Sequence, residues 1–144
     1  MAFTILFILG LAVGSFLNVV IFRFKPENQV FDLKKINGRS ACPHCQKTLR
    51  WYELIPLVSF FIQSRKCRSC DLKLSWQYPL VELLSGLIFV FVPYILYPKS
   101  YILSLVWILA LLIFLLISVI DFRHFLIPDE LIWLLVFLGF AFII

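Results

Sequence analysis

Long apolar runs with short polar interruptions constrain this chain more than any other feature. Hydrophobic residues make up 62% of its 144 residues, and the mean hydropathy is +1.01. A soluble domain has about 45–50% apolar residues. A helix needs about 20 mostly apolar residues to cross a bilayer, and the runs cover residues 3–22, 78–96, 101–120 and 131–144. The sequence therefore predicts an all-α polytopic membrane protein with about four transmembrane helices.

The organisation of the chain follows from these runs. The last run is shorter than a comfortable span and has no polar residue at its end, so we expect the fourth helix to be truncated. Pro93 and Pro98 mark a short turn after the second span. We expect four segments: a first transmembrane helix (1–22), a polar insert (23–77), a second transmembrane helix (78–98) and the start of a further membrane domain (99–144).

Basic residues are concentrated in the insert. Of the 13 lysines and arginines, 11 lie between Arg23 and Lys73, and only Lys99 and Arg123 lie elsewhere. Such a segment is also found in nucleic-acid-binding proteins, but between two spans the positive-inside rule explains it better. We therefore expect a cytoplasmic insert, the bilayer as a partner, and no nucleic-acid partner. Counting spans puts the turn at Lys99 outside and the polar link at 121–130 on the cytoplasmic side.

Two CxxC pairs, Cys42–Cys45 and Cys67–Cys70, lie in this insert with 21 residues between them. Four thiolates at this spacing can close a tetrahedral structural zinc site, which leaves no open position for water. A disulfide framework is disfavoured in the cytoplasm, and thiol exchange is a second alternative. His44 is a possible substitute ligand, although four cysteines are already available. We predict a small cytoplasmic zinc knuckle.

An apolar stretch at residues 54–62 lies between the two cysteine pairs. It is too short to span a bilayer and contains Pro56. A segment of this kind is typical of the membrane interface. We expect it to lie against or dip into the membrane.

Carboxylates near the membrane boundary are candidates for chemistry. Asp121 ends an apolar span, where the helix dipole does not favour a carboxylate. Asp129 and Glu130 open the next helix, where capping explains them without a catalytic role. Aspartic chemistry needs two carboxylates with separated pKa values; Asp129 is a possible second member, and a partner elsewhere is equally compatible. For Glu82, we favour a structural pairing with Arg or Lys of the insert over contact with a cationic substrate.

These motifs together resemble the prepilin peptidases, also called type IV leader peptidases. The first span is similar to the opening motif of that family, and the cysteine segments to its two cysteine blocks. Asp121 and Ile127-Pro128-Asp129 resemble its first catalytic-aspartate motif. The residues that carry the resemblance are Gly14-Ser15-Phe16-Leu17-Asn18-Val19-Val20, Arg23, Ser40, Cys42, Cys45, Trp51, Ile55-Pro56, Ser59, Cys67, Cys70, Ser75, Tyr78-Pro79-Leu80-Val81-Glu82, Asp121 and Ile127-Pro128-Asp129.

The resemblance implies a membrane aspartic endopeptidase of the bacterial inner membrane. Such enzymes cut the basic leader from type IV prepilins or pseudopilins after a glycine, at the cytoplasmic face, and many methylate the new N-terminal amine with S-adenosylmethionine. Asp121 would be the first catalytic aspartate, residues 99–144 would begin the peptidase domain, and the zinc knuckle would belong to the methylation region. The sequence has no glycine-rich nucleotide loop that would indicate where S-adenosylmethionine binds.

One departure from the family pattern leaves an alternative open. The second catalytic aspartate of the family lies in a Gly-x-Gly-Asp motif, which these 144 residues do not contain. The chain would then hold half of the catalytic pair. The alternative is a zinc-stapled membrane scaffold that binds pilins or assembly partners without cutting them, and a membrane thiol–disulfide protein is a third hypothesis.

Overall fold

The computed structural model describes residues 1–26, 30, 38–96 and 101–143, with only the backbone of 141–143. Within these residues the regular structure is helical, and pairing between extended segments is limited to two isolated bridges. The predicted all-α class is confirmed. The elements are α1 (Ala2–Arg23), a 3-10 helix (Trp51–Leu54), α2 (Val58–Ile62), α3 (Gln77–Leu96), α4 (Tyr101–His124) and α5 (Asp129–Ile143).

Three helices, α1, α3 and α4, are long and apolar enough to cross a membrane. They contain 22, 20 and 24 residues, which correspond to about 30 Å or more of helix at 1.5 Å per residue. Helix α5 has 15 residues and is shorter than these three. Helix α3 continues through Pro93 to Leu96, so the proline predicted to mark a turn lies inside the helix; Pro98 and Lys99 lie outside the described residues.

Small residues bring α1 and α3 into close contact. A Cβ atom added at Gly14 would lie 2.7 Å from the Cα of Glu82 and 2.9 Å from the Cβ of Ser85. One added at Gly10 would lie 2.8 Å from the Cα of Gly86. Because lipid tails are as apolar as the side chains, transmembrane helices associate through such close packing rather than through the hydrophobic effect. The two helices therefore cross at a point where their backbones touch.

The insert and the α4–α5 link lie at the same end of the helix bundle. Phe24, just after α1, packs edge-on against His124 at the end of α4, with 5.4 Å between ring centroids. The backbone N–H of Val30 donates to Oε2 of Glu130 over 2.9 Å. Buried apolar residues of α1, the insert, α4 and α5 belong to a core cluster around these contacts: Val20, Ile21, Phe24, Val30, Ile120 and Leu131.

Replacing Gly14 by alanine tests the helix crossing. The added methyl group would meet the backbone of α3 at Glu82, so we expect Gly14→Ala to lower the free energy of unfolding by about 1–3 kcal/mol. Unfolding is followed by circular dichroism during denaturant titration in detergent.

Gly139→Ala is the matched control, because a Cβ atom at Gly139 meets nothing within 4 Å. In a helix, this change is expected to be neutral or to stabilise by up to about 1 kcal/mol. Equal stability of the two variants would contradict the close crossing of α1 and α3.

Candidate metal centre and adjoining cavity

The two CxxC segments fold into two turns with the same backbone hydrogen bonds. In each, the first cysteine donates its N–H to the carbonyl five residues on, and its own carbonyl accepts the N–H four residues on. Gln46 and Asp71 hold the same place in the two turns, with left-handed φ values of 54° and 55°. An antiparallel bridge closes each turn. The two turns thus form a structural repeat offset by 25 positions, from Cys42 to Cys67, which the sequence analysis did not detect.

The four thiols meet at one point. The Sγ atoms of Cys42 and Cys70 lie 4.0 Å apart, and those of Cys45 and Cys67 lie 3.9 Å apart. All four lie within 4.8 Å of one another. With Zn–S bonds of about 2.3 Å, a tetrahedral site has S···S edges of about 3.8 Å, whereas a disulfide needs about 2.0 Å. The sulfur positions and the donor set fit a four-thiolate metal centre and not a pair of disulfides.

The electrostatics of the cluster favour a bound cation. Hydrogen bonds from the backbone N–H groups of Ser69 and Cys70 lower the pKa of the Cys67 thiol to about 7. The Leu72 N–H lowers the pKa of Cys70, but burial and the neighbouring thiols outweigh it and raise that pKa to about 12. Adjacent thiols cannot all ionise without a compensating charge. A divalent metal would supply it, because a coordinating thiol is deprotonated.

His44 takes no part in the ligand cluster of the described residues, which consists of the four cysteines. Its side chain is exposed. The structure thus supports the expectation that His44 is not needed as a ligand. Cys42 and Cys67 are buried, whereas Cys45 is exposed and Cys70 is half-buried.

Polar side chains of α1 and α3 join these two helices to each other and to the insert. Glu82 accepts the backbone N–H of Leu57 at 2.8 Å, and its carboxylate also interacts with the Ser15 hydroxyl. Asn18 donates to the Tyr78 carbonyl at 3.0 Å. The pairing expected for Glu82 does come from the insert, but the partner is a backbone N–H instead of an arginine or lysine side chain of the described residues. Sequence reasoning missed this partner.

The segment that holds Leu57 has strained backbone and an exposed apolar face. Leu57 has a left-handed φ of 59°, which is costly for a residue with a bulky side chain. On either side of it lie the 3-10 helix and α2. The large exposed apolar side chains of this region are Trp51, Leu54, Ile55, Val58, Phe61 and Ile62. This surface agrees with the expected interfacial segment.

A cavity of about 420 Å³ lies between α1, the insert and the start of α3. Its walls include Ser15 and Asn18 from α1, Ser59 from α2, and Tyr78 and Glu82 from α3. These residues come from three separate blocks of the sequence, and each block belongs to the motif set singled out above. Helix crossing and insert docking thus gather residues that are up to 67 positions apart around one space.

The predicted aspartates lie at the insert end of the bundle on two different helices. Asp121 is exposed in the last turn of α4, and Asp129 is exposed as the first residue of α5. A carboxylate in the first helical turn is favoured by the helix dipole. The position of Asp129 therefore agrees with the helix-capping role that the sequence analysis considered for it. The neighbouring Glu130 holds the Val30 N–H and so has a structural partner that the sequence did not indicate.

Comparisons with known proteins agree with this architecture. The family model of the bacterial peptidase A24 N-terminal domain matches residues 8–96. A prepilin leader peptidase/N-methyltransferase of Myxococcus xanthus is 50% identical over 84 residues, which cover 58% of this chain and 24% of that protein. The type 4 prepilin-like proteins leader peptide-processing enzyme of Escherichia coli is 38% identical over 138 residues, covering 83% and 49%. A prepilin leader peptidase/N-methyltransferase of Aeromonas hydrophila is 36% identical over 151 residues, covering 90% and 50%.

No solved structure matches the chain. The matches span half or less of these three relatives. The matched residues 8–96 run from α1 through the four-cysteine insert to the end of α3 and make up more than half of the chain. The chain therefore belongs to the bacterial A24 peptidase family, that of the prepilin leader peptidases.

Proposed function

We propose that this protein is a prepilin leader peptidase and methyltransferase. It removes the basic leader of type IV prepilins or pseudopilins at the cytoplasmic face of a bacterial inner membrane and methylates the new N-terminus. The observation that carries the proposal is the family match over the insert, together with the contacts that join the insert to the α4–α5 link. Both chemistries would then work at one membrane face.

Peptide cleavage follows an aspartic mechanism in this proposal. One carboxylate accepts a proton from the attacking water, and a second, protonated carboxyl donates a proton to the leaving amine. Asp121 is the first of the pair, at the end of α4 where the substrate leaves the membrane. Asp129 is a candidate for the second, with helix capping as its competing role.

The four-cysteine cluster holds a structural zinc ion in this proposal. The support is the sulfur spacing of 3.9 and 4.0 Å and the set of four soft ligands. Four thiolates leave no position for water, so the metal stabilises the insert and does not catalyse. Thiol exchange would instead need an exposed pair of reactive cysteines, and two of the four are buried.

Replacing Asp121 by asparagine tests the peptidase. Asparagine keeps the shape of the side chain but cannot act as a base or an acid. We therefore expect Asp121→Asn in the complete protein to slow leader removal by about 10²–10⁴-fold while expression and zinc content stay unchanged. Cleavage is measured by the mobility shift of a prepilin in proteoliposomes.

Asp71→Asn is the control, since Asp71 is an exposed carboxylate of the insert; we expect full activity. Asp129→Asn separates catalysis from capping, because asparagine caps a helix about as well as aspartate but cannot act as an acid or a base: a capping role leaves cleavage intact, and a catalytic role does not. Normal cleavage by Asp121→Asn would refute the aspartic assignment. An unsubstituted protein that binds prepilin without ever cutting it would favour the scaffold alternative.

Loss of one buried thiol tests the zinc centre. We expect the native protein to bind one zinc per chain, measured by atomic emission. Cys67→Ser should lose the metal and expose the insert to protease, because binding energy of a structural zinc is folding energy. The cleavage pattern is read by mass spectrometry.

His44→Ala is the matched control in the same turn, since His44 is exposed and outside the cluster. It should keep both zinc and protease resistance. Metal-free protein with an equally resistant insert would rule out a structural metal.

A further inference from the structure

The cavity between α1, the insert and α3 has the size of a small-molecule site. Its volume of about 420 Å³ falls within the range of about 300–1,000 Å³ typical of such sites. A peptide helix is about 10 Å across with its side chains and needs an open groove. The sequence contains no glycine-rich cofactor loop, so no motif indicates what this space would bind.

Two polar side chains that line the cavity are buried and face it with hydrogen-bond acceptors. Glu82 is 8% exposed and Asn18 is 4% exposed. The Asn18 amide nitrogen is used by the Tyr78 carbonyl, whereas its buried Oδ1 has no partner among the described residues. Buried acceptors normally have partners. A carboxylate and an orphaned carbonyl oxygen together suit a ligand that brings a positive charge or N–H donors.

The end of the cavity at the last turn of α1 is lined by basic side chains. Arg23 and Arg39 line it, and Arg23 is anchored by its bonds to the carbonyls of Gly38 (3.0 Å) and Arg39 (3.1 Å). Glu82 is level with Gly14, about 13 Å along α1 from Arg23 at 1.5 Å per residue. The lining therefore has a buried carboxyl group at Glu82 and two arginines at the end of α1, with Glu53 as a second carboxyl group and aromatic walls that include Phe16 and Phe60.

We propose that this cavity binds S-adenosylmethionine, with the sulfonium near Glu82 and Asn18 and the amino-acid carboxylate toward Arg23 and Arg39. The inference rests on the methylation part of the proposed function. The ligand has a sulfonium cation, an amino-acid end with a carboxylate and an ammonium group, and an aromatic base. The sulfonium corresponds to Glu82, the carboxylate to the two arginines, and the base to the aromatic walls. Glu82 would then be a binding residue as well as the anchor of Leu57.

Equilibrium binding to the complete, zinc-loaded protein in lipid nanodiscs tests the inference. The two probes are S-adenosylmethionine and S-adenosylhomocysteine, which lacks the methyl group and the positive charge on sulfur. Because a charge-assisted contact in a buried site is stronger than a neutral one, we expect the cationic probe to bind at least about tenfold more tightly. Glu82→Gln should remove this preference, since glutamine keeps an acceptor for the Leu57 N–H but loses the charge.

A matched pair of variants on α2 tests the location. Ser59 lines the cavity and Val58 is exposed beside it. Ser59→Phe should fill the space and weaken both probes at least about tenfold, and Val58→Phe should leave both unchanged. Zinc content and protease resistance establish that each variant is folded. If Ser59→Phe does not fold, the isosteric Glu82→Gln still decides.

Failure of this inference is distinguishable from failure of the proposed function. A cationic preference that survives in Glu82→Gln, or unchanged binding to folded Ser59→Phe, overturns the inference even if prepilin is cut and methylated. Absence of any binding by the native protein also overturns it. Native protein that binds S-adenosylmethionine through Glu82 but never methylates prepilin supports the inference and counts against the function.

Discussion

The close crossing of α1 and α3 is the interaction on which the rest of the structure depends. The insert leaves from the end of α1 and returns at the start of α3, so the crossing holds its two ends together. Closing a loop of this length in a free chain costs conformational entropy. Because α1 and α3 already hold the two ends of the insert together, folding of the insert does not add that entropy cost. The contact is possible because Gly10, Gly14 and Gly86 have no side chains.

The four-cysteine cluster is equally important, because the described part of the insert buries few apolar side chains of its own. Beyond the thiols, the packing of its described residues includes Phe60 against Trp76, with ring centroids 5.3 Å apart, and Arg65 over the Trp76 ring at 5.0 Å. A domain this small seldom folds on hydrophobic burial alone. A metal bound by the four cysteines, as proposed, would take the place of a core, and the contact between α1 and α3 would support the insert.

Sequence reasoning could predict the features that depend on spacing and composition. The three long helices follow from apolar runs, and the meeting of the four thiols follows from two CxxC pairs. Features that depend on backbone conformation could not be predicted from the sequence in this way. The repeat of the two cysteine turns lies in backbone hydrogen bonds and in left-handed residues at Gln46 and Asp71, which are neither glycine nor alike in side chain. Likewise, Pro93 does not end its helix, since neighbouring groups can satisfy freed backbone carbonyls in membrane helices.

Glu82 shows why the sequence could indicate a candidate functional carboxylate but not the groups that surround it. A carboxylate one turn inside a span is costly to bury, and its sequence context suggested a cationic side chain as partner. The structure gives it Leu57 N–H and Ser15 instead, neither of which cancels a full negative charge. The strained φ of 59° at Leu57 costs about 1–3 kcal/mol, so that arrangement persists only because the carboxylate and the surrounding packing hold it. One side chain thus joins α1, α3 and the insert. Its ionised form is costly to bury, and a cationic ligand in the cavity would lower that cost.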